Sequence, residues 1–162
     1  MSAIAPADTL VHLVGVARPS PAKARSFLDI DLASVRAAAR AARSSGIRHF
    51  IYVSVAQPAP VMRAYQAARR QGEESVRATG IAATILRPWY VLGPGHRWPY
   101  ALLPMYWVLE RMPATALGAR RLGLVTIEQM VGALVLAVEN PPDGVRIVEV
   151  PAIRAAAREN EE

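Results

Sequence analysis

Tyr65, Arg69 and Glu73 fall at four-residue steps in the stretch RAYQAARRQGEESVRATG, residues 63–80. On a helix this spacing lines side chains along one face. A phenol beside a guanidinium is a candidate acid/base pair. A free phenol titrates at about 10 and needs a neighbouring cation to exchange protons at neutral pH. The same spacing also suits a tyrosine packed on a core, with Ala68, Gly72 and Val76 as its neighbours along the helix. Glu73 and Glu74 are either general bases or exposed partners of Arg69, Arg70 or Arg77; the arginines around them predict the exposed arrangement. Ser54 closes the apolar stretch FIYVSV, where its hydroxyl either meets a substrate or satisfies a backbone group at the strand end. His12, His49 and His96 share no metal-ligand spacing and have no cysteine or paired carboxylates beside them, so no metal site is expected. His12 lies inside an apolar run and is expected to be a hydrogen-bonded core histidine.

The elements that must position these groups alternate along the chain. LVHLVGV, residues 10–16, is a short apolar run suited to a strand buried on both faces. DLASVRAAARAARSSG, residues 31–46, predicts a helix with Asp31 as N-cap and Gly46 as its stop. RHFIYVSV is a second buried strand, which completes a βαβ unit. A helix over about 61–79 follows, ended by Gly80, and then the strand IAATILRP, closed by Pro88. Gly93, Pro94 and Gly95 mark a loop, either a plain turn or a place where backbone approaches a ligand. YALLPMYWVLERM predicts a helix, RLGLVT a short strand, IEQMVGALVLAVEN an amphipathic helix and VRIVEV a last strand before a polar tail. This alternation without hairpin signals predicts an α/β fold: a mainly parallel, Rossmann-like sheet with flanking helices, in a single domain over residues 1–162.

Bulk properties narrow the function classes. The chain has 162 residues, 52% of them hydrophobic and 20% charged, which is a globular composition. There is no cysteine, as suits a cytoplasmic protein, and neither a signal peptide nor an apolar run long enough to span a bilayer is seen. The net charge is +6, carried mainly by arginines such as Arg36, Arg40, Arg43, Arg63, Arg69, Arg70, Arg77, Arg120 and Arg121. They are scattered and lack interleaved aromatics, so they predict solvated helix faces rather than a nucleic-acid surface. Trp89, Tyr90, Trp98, Tyr100, Tyr106 and Trp107 form an aromatic stretch that lines either a substrate pocket, a partner surface or a core under a long loop.

FIYVSV, then Tyr65 with its Q-A-A-R sequel and Glu73, then TGIAATILRPWYVLGPG resembles the extended and atypical short-chain dehydrogenases/reductases. The likeness is to NmrA-like and NAD-dependent epimerase/dehydratase-like members, and it covers about residues 8–150. The resemblance implies a nicotinamide dinucleotide, NAD or NADP, as cofactor and a small carbonyl or alcohol as substrate. It implies Tyr65 as acid/base, Arg69 at the position of the family's lysine and Ser54 near the substrate. Arg87, Pro88 and Trp89 would stand beside the cofactor with Ser54, Tyr65 and Arg69. Two departures accompany it. An arginine stands where the family has lysine, and its larger fork cannot deprotonate. The usual catalytic serine position falls on Val55.

None of the ten glycines forms G-x-G-x-x-G, the turn whose backbone N–H groups hold the cofactor pyrophosphate. The chain therefore resembles the later half of such a domain, beginning near the family's fourth strand, and the missing loop counts against tight dinucleotide binding. Three readings follow: an oxidoreductase or epimerase; a non-catalytic NAD(P)-sensing or protein-interaction module; and a truncated remnant that binds no cofactor. The strand at 10–16, deprived of a neighbour, is expected to form an apolar edge and to pair into a homodimer.

Overall fold

In the computed structural model, residues 50–52 and 83–86 are wholly buried and form the middle of a four-stranded parallel sheet. The structure describes residues 7–17, 19–59, 61–93, 111–112, 118 and 121–159. The sheet runs β1 (Thr9–His12), β2 (His49–Val53), β3 (Ala82–Arg87), β6 (Val145–Glu149), in that spatial order. A short second parallel pair joins β4 (Tyr90–Leu92) to β5 (Leu124–Thr126), and β4 was not expected from the sequence. Among the described residues every strand pairing is parallel, as the alternating pattern predicts.

Among the described residues four helices flank the strands: α1 (Ala33–Ser44), α2 (Arg63–Arg77), α3 (Ile127–Glu139) and α4 (Val150–Glu159). Successive residues of a strand point to opposite faces. Phe50, Tyr52, Ala83 and Ile85 therefore pack with Val35, Ala39 and Val76 of α1 and α2. Ile51 and Leu86 point the other way, to Met130, Ala133, Ala137 and Ile153 of α3 and α4. The sheet is thus covered on both faces, which explains why its central strands are almost continuously apolar. Helix α2 lies close enough to β2 that a Cβ at Gly72 would stand 2.5 Å from the Tyr52 hydroxyl and 3.0 Å from Val35 Cγ1. Thr126 and Gln129 form a reciprocal capping box at the start of α3.

Two boundaries differ from the sequence expectation. The first strand ends at His12 rather than Val16, and Leu13 and Val14 are exposed. Beyond His12 the chain turns to other partners: the Val14 carbonyl faces Arg69, and the Val16 amide donates to Asp31. Asp31 is not an N-cap. Helical turn begins earlier, through Pro21–Lys23, Ala24–Ser26 and a π-wound stretch Phe27–Leu32 that runs directly into α1. Asp31 sits inside this stretch, fully buried. The predicted segment YALLPMYWVLERM lies mostly outside the described residues.

Candidate functional site

Arg69 is the centre of a buried polar cluster at the carboxyl ends of β1 and β2. Its Nη2 lies 2.6 Å from Asp31 Oδ1. Its Nη1 donates to the Val53 carbonyl at 3.0 Å and faces the Val14 carbonyl at 3.4 Å and the Tyr52 hydroxyl at 3.5 Å. The guanidinium also lies 5.8 Å from the Tyr52 ring centroid and 5.2 Å from that of Tyr65, within cation–π range of both. A Cβ at Gly15 would press on the Arg69 guanidinium, so any side chain there would require Arg69 to move. The ion pair thus pins the loop after β1 to the turn before α1 and to α2.

Tyr65 and Arg69 are brought together as their helical spacing predicts. The ring partner of Tyr65 is nevertheless Phe27, with centroids 5.0 Å apart, rather than the core neighbours expected along α2. Gly72 instead receives the Tyr52 hydroxyl. Burial pushes the Tyr65 phenol above its ordinary value; Arg69 opposes this, and Asp31 adds to it. The phenol is therefore protonated at neutral pH, and Arg69 only partly offsets the effect of burial. Burial alone would lower the Arg69 guanidinium, but Tyr65, Tyr52 and Asp31 outweigh it and raise it. Met62, just before α2, takes the left-handed conformation with φ 60°, a strained geometry for a side-chain-bearing residue beside the Tyr65 turn.

Ser54 belongs to a second cluster. Its hydroxyl donates to Glu73 Oε1 at 2.7 Å, and it does not satisfy a strand-end backbone group. Glu73 is buried, against the expectation of an exposed residue paired with Arg69, Arg70 or Arg77. Burial selected a different partner: Arg87 Nε and Nη2 grip Glu73 Oε1 and Oε2 at 3.0 and 2.6 Å, and Gln57 Nε2 donates to Oε1 at 2.7 Å. This fork is the strong bidentate arrangement. The Glu73 contact, followed by that to Glu149 at 3.7 Å, holds the Arg87 guanidinium above its usual value even though burial works the other way. Pro88 follows at once, and its carbonyl accepts from the Ala56 amide. Trp89 packs edge-on to Tyr90 at 5.7 Å. Gly93 lies against the Ile127 side chain. Pro94, Gly95, His96, Trp98, Tyr100, Tyr106, Trp107 and Arg120 lie outside the described residues.

His12 is buried, but neither ring nitrogen has a hydrogen-bond partner, contrary to the sequence expectation. It is held instead by rings, 6.4 Å from Phe50 and 5.6 Å from Tyr52. Burial first, then Arg69, lowers its pKa. His49 Nε2 meets Thr84 Oγ1 at 3.0 Å. Among the described residues no group of three or more His, Cys, Asp or Glu side chains could hold a metal ion. No helix there is long and apolar enough to cross a membrane. The Asp31–Arg69 pair joins residues 38 positions apart, and no local signal in the sequence marks it.

Parallel strands flanked by helices, with polar side chains gathered at the strands' carboxyl ends, define a Rossmann-like α/β fold. No family model matches the chain. A short-chain dehydrogenase/reductase superfamily protein from Agrobacterium tumefaciens with bound NAD has this fold, with a TM-score of 0.60 at 17% identity over 88% of this chain and 60% of that one. So does the UDP-glucuronic acid 4-epimerase of Bacillus cereus in complex with NAD, at 0.60 and 18% identity over 88% and 53%. In sequence, a ceramide reductase of Caulobacter vibrioides is 29% identical over 150 residues, 91% of this chain and 45% of that protein. The chain spans about half the length of these relatives. The resemblance drawn from the sequence is borne out at the level of the fold.

Proposed function

We propose that this chain forms the nicotinamide-facing half of a dinucleotide-binding domain, a cytoplasmic oxidoreductase or epimerase acting on a small carbonyl or alcohol. The observation that carries the proposal is the Tyr65 ring, its centroid 5.2 Å from the Arg69 guanidinium carbon, at the carboxyl ends of parallel strands. Ligands of open α/β sheets bind at that end. Tyr65, Arg87, Pro88 and Trp89 would line the nicotinamide side, with Ser54 and Arg69 behind them. A nicotinamide held there would supply or take the hydride. The rings and guanidinium donors of these residues would suit that side of the cofactor. They do not fit its pyrophosphate, because no glycine-rich turn is among them.

Tyr65, kept protonated by burial, would be the proton donor to a carbonyl oxygen rather than the base for an alcohol. Arg69 would hold the ring and stabilise negative charge as the proton leaves. The name of the Caulobacter relative, a reductase, points the same way. Fluorescence titration with NADH and NADPH tests the binding. Saturable quenching is expected, and Tyr65→Phe should keep affinity within about twofold while abolishing carbonyl-dependent NAD(P)H oxidation. Absence of binding at millimolar cofactor would falsify the proposal, and undiminished turnover in the variant would remove Tyr65 from the chemistry.

One set of contacts favours a second reading, a non-catalytic NAD(P)-sensing or protein-interaction module of the NmrA-like kind. Asp31 already neutralises Arg69, and Glu73 already holds Ser54. Saturable binding without Tyr65-dependent turnover would favour it. A homodimer through β1 also belongs to the proposal: the strand is at the edge of the four-stranded sheet, with Val11 exposed on it and Leu13 and Val14 exposed just beyond its end.

A further inference from the structure

Arg36, Arg40 and Arg43 are far from the Tyr65 cluster in role, and folding gathers them. They line one side of a groove of about 310 Å3 between α1 and α2; Ser75 and Thr79 line the other, and Ala39 is at its floor. No carboxylate lines it, and among the described residues none of the three guanidinium groups makes an ion pair. The contact described for them is Arg36 Nη2 with Gln71 Oε1, at 3.4 Å. The hydroxyls across the groove are engaged: Ser75 donates to the Gln71 carbonyl and Thr79 to the Val76 carbonyl. The donors left for a ligand are guanidinium N–H groups, so the groove favours anionic acceptors such as carboxylates.

We propose that this groove is a docking site for an acidic helix of a partner protein, whose carboxylates meet Arg36, Arg40 and Arg43. The spacing carries the choice of partner. Along α1 the three arginines are four and then three residues apart, rises of about 6 and 4.5 Å. Carboxylates at the same steps on a second helix repeat those rises, and Arg–carboxylate pairs reward the match with two-point hydrogen bonds. Nucleic acid is a poorer fit, since no aromatic side chain lines the groove to stack a base. A second copy of this chain through the same face is disfavoured, because two-fold contact would set arginine against arginine. An anionic bilayer presents a plane, whereas these arginines border a cleft.

The test uses the full chain and a labelled helical peptide with glutamates at successive four- and three-residue steps on an alanine/glutamine background. A peptide of equal charge with its glutamates consecutive serves as comparison. Fluorescence anisotropy should show the registered peptide binding about tenfold more tightly than the other. Arg36→Ala/Arg40→Ala/Arg43→Ala should weaken it by at least about tenfold, as expected for losing three exposed ion pairs. All three are exposed, so folding should be intact, as circular dichroism would verify. A variant with Arg25, Arg63 and Arg70 changed to alanine, equal in charge but outside the groove, should bind as the parent does. Equal binding of the two peptides would overturn the proposal. So would equal losses in the two variants. Tighter binding of single-stranded DNA, or of vesicles with equal parts phosphatidylcholine and phosphatidylserine, lost only in the groove variant, would assign the site to a different anion.

Discussion

Replacing Asp31 by alanine removes the carboxylate from a pair in which both side chains are hidden: 6% of Arg69's is exposed and none of Asp31's. The guanidinium would remain among the Val53 and Val14 carbonyls and the Tyr52 hydroxyl, with no counter-charge. Removing one partner of a buried pair costs roughly 3–5 kcal/mol, because the remaining charge stays desolvated. The carbonyls and two aromatic faces offset part of this, so the low end, about 3 kcal/mol, is expected. The Val16 amide also loses its acceptor. A domain is stable by about 5–15 kcal/mol, so the variant should still fold but unfold much more easily. Urea unfolding followed by circular dichroism should show the midpoint lowered by about 1–3 M with an unchanged slope. Asp31→Leu combined with Arg69→Met leaves no orphan charge and should cost far less than the single change. A single-variant loss below about 1 kcal/mol, or a double variant as unstable as the two single losses summed, would refute a keystone role for the pair.

Two further outcomes can be measured. His12 and His49 both titrate below their ordinary 6.5 because burial penalises the charged ring. The unfolded chain therefore binds their protons first. Stability should be full above about 6.5 and fall as pH drops from there through the lowered folded values. His12→Phe, which places another ring between Phe50 and Tyr52, should flatten that fall; an unchanged slope between about pH 6.5 and 5 would show that His12 does not carry it. For the sheet edge, sedimentation should find a dimer in the parent chain and a monomer after Val11→Lys and Leu13→Lys, since charges block edge pairing. A parent chain that stays monomeric at high micromolar concentration would count against pairing through β1.

What the sequence alone determined is what depends on near neighbours. Runs such as FIYVSV and AATILR are too continuously apolar for a half-exposed strand, so a parallel sheet covered on both faces follows from them. Tyr65 meets Arg69 because four residues are about one helical turn, whatever surrounds the helix. Tertiary structure decided the rest. Asp31 looks like a helix cap and Glu73 like a surface residue when read locally, yet both are buried. Burial forces a carboxylate to find a counter-charge, and the topology placed Arg69 beside the first and Arg87 beside the second. His12 shows the opposite case, a polar ring left unpartnered because packing against Phe50 and Tyr52 fixed its place. Arg36, Arg40 and Arg43 read as solvated charges until α2 supplies the other wall of their groove. Charge type is written in the chain, but a charge's partner depends on which faces the fold brings together.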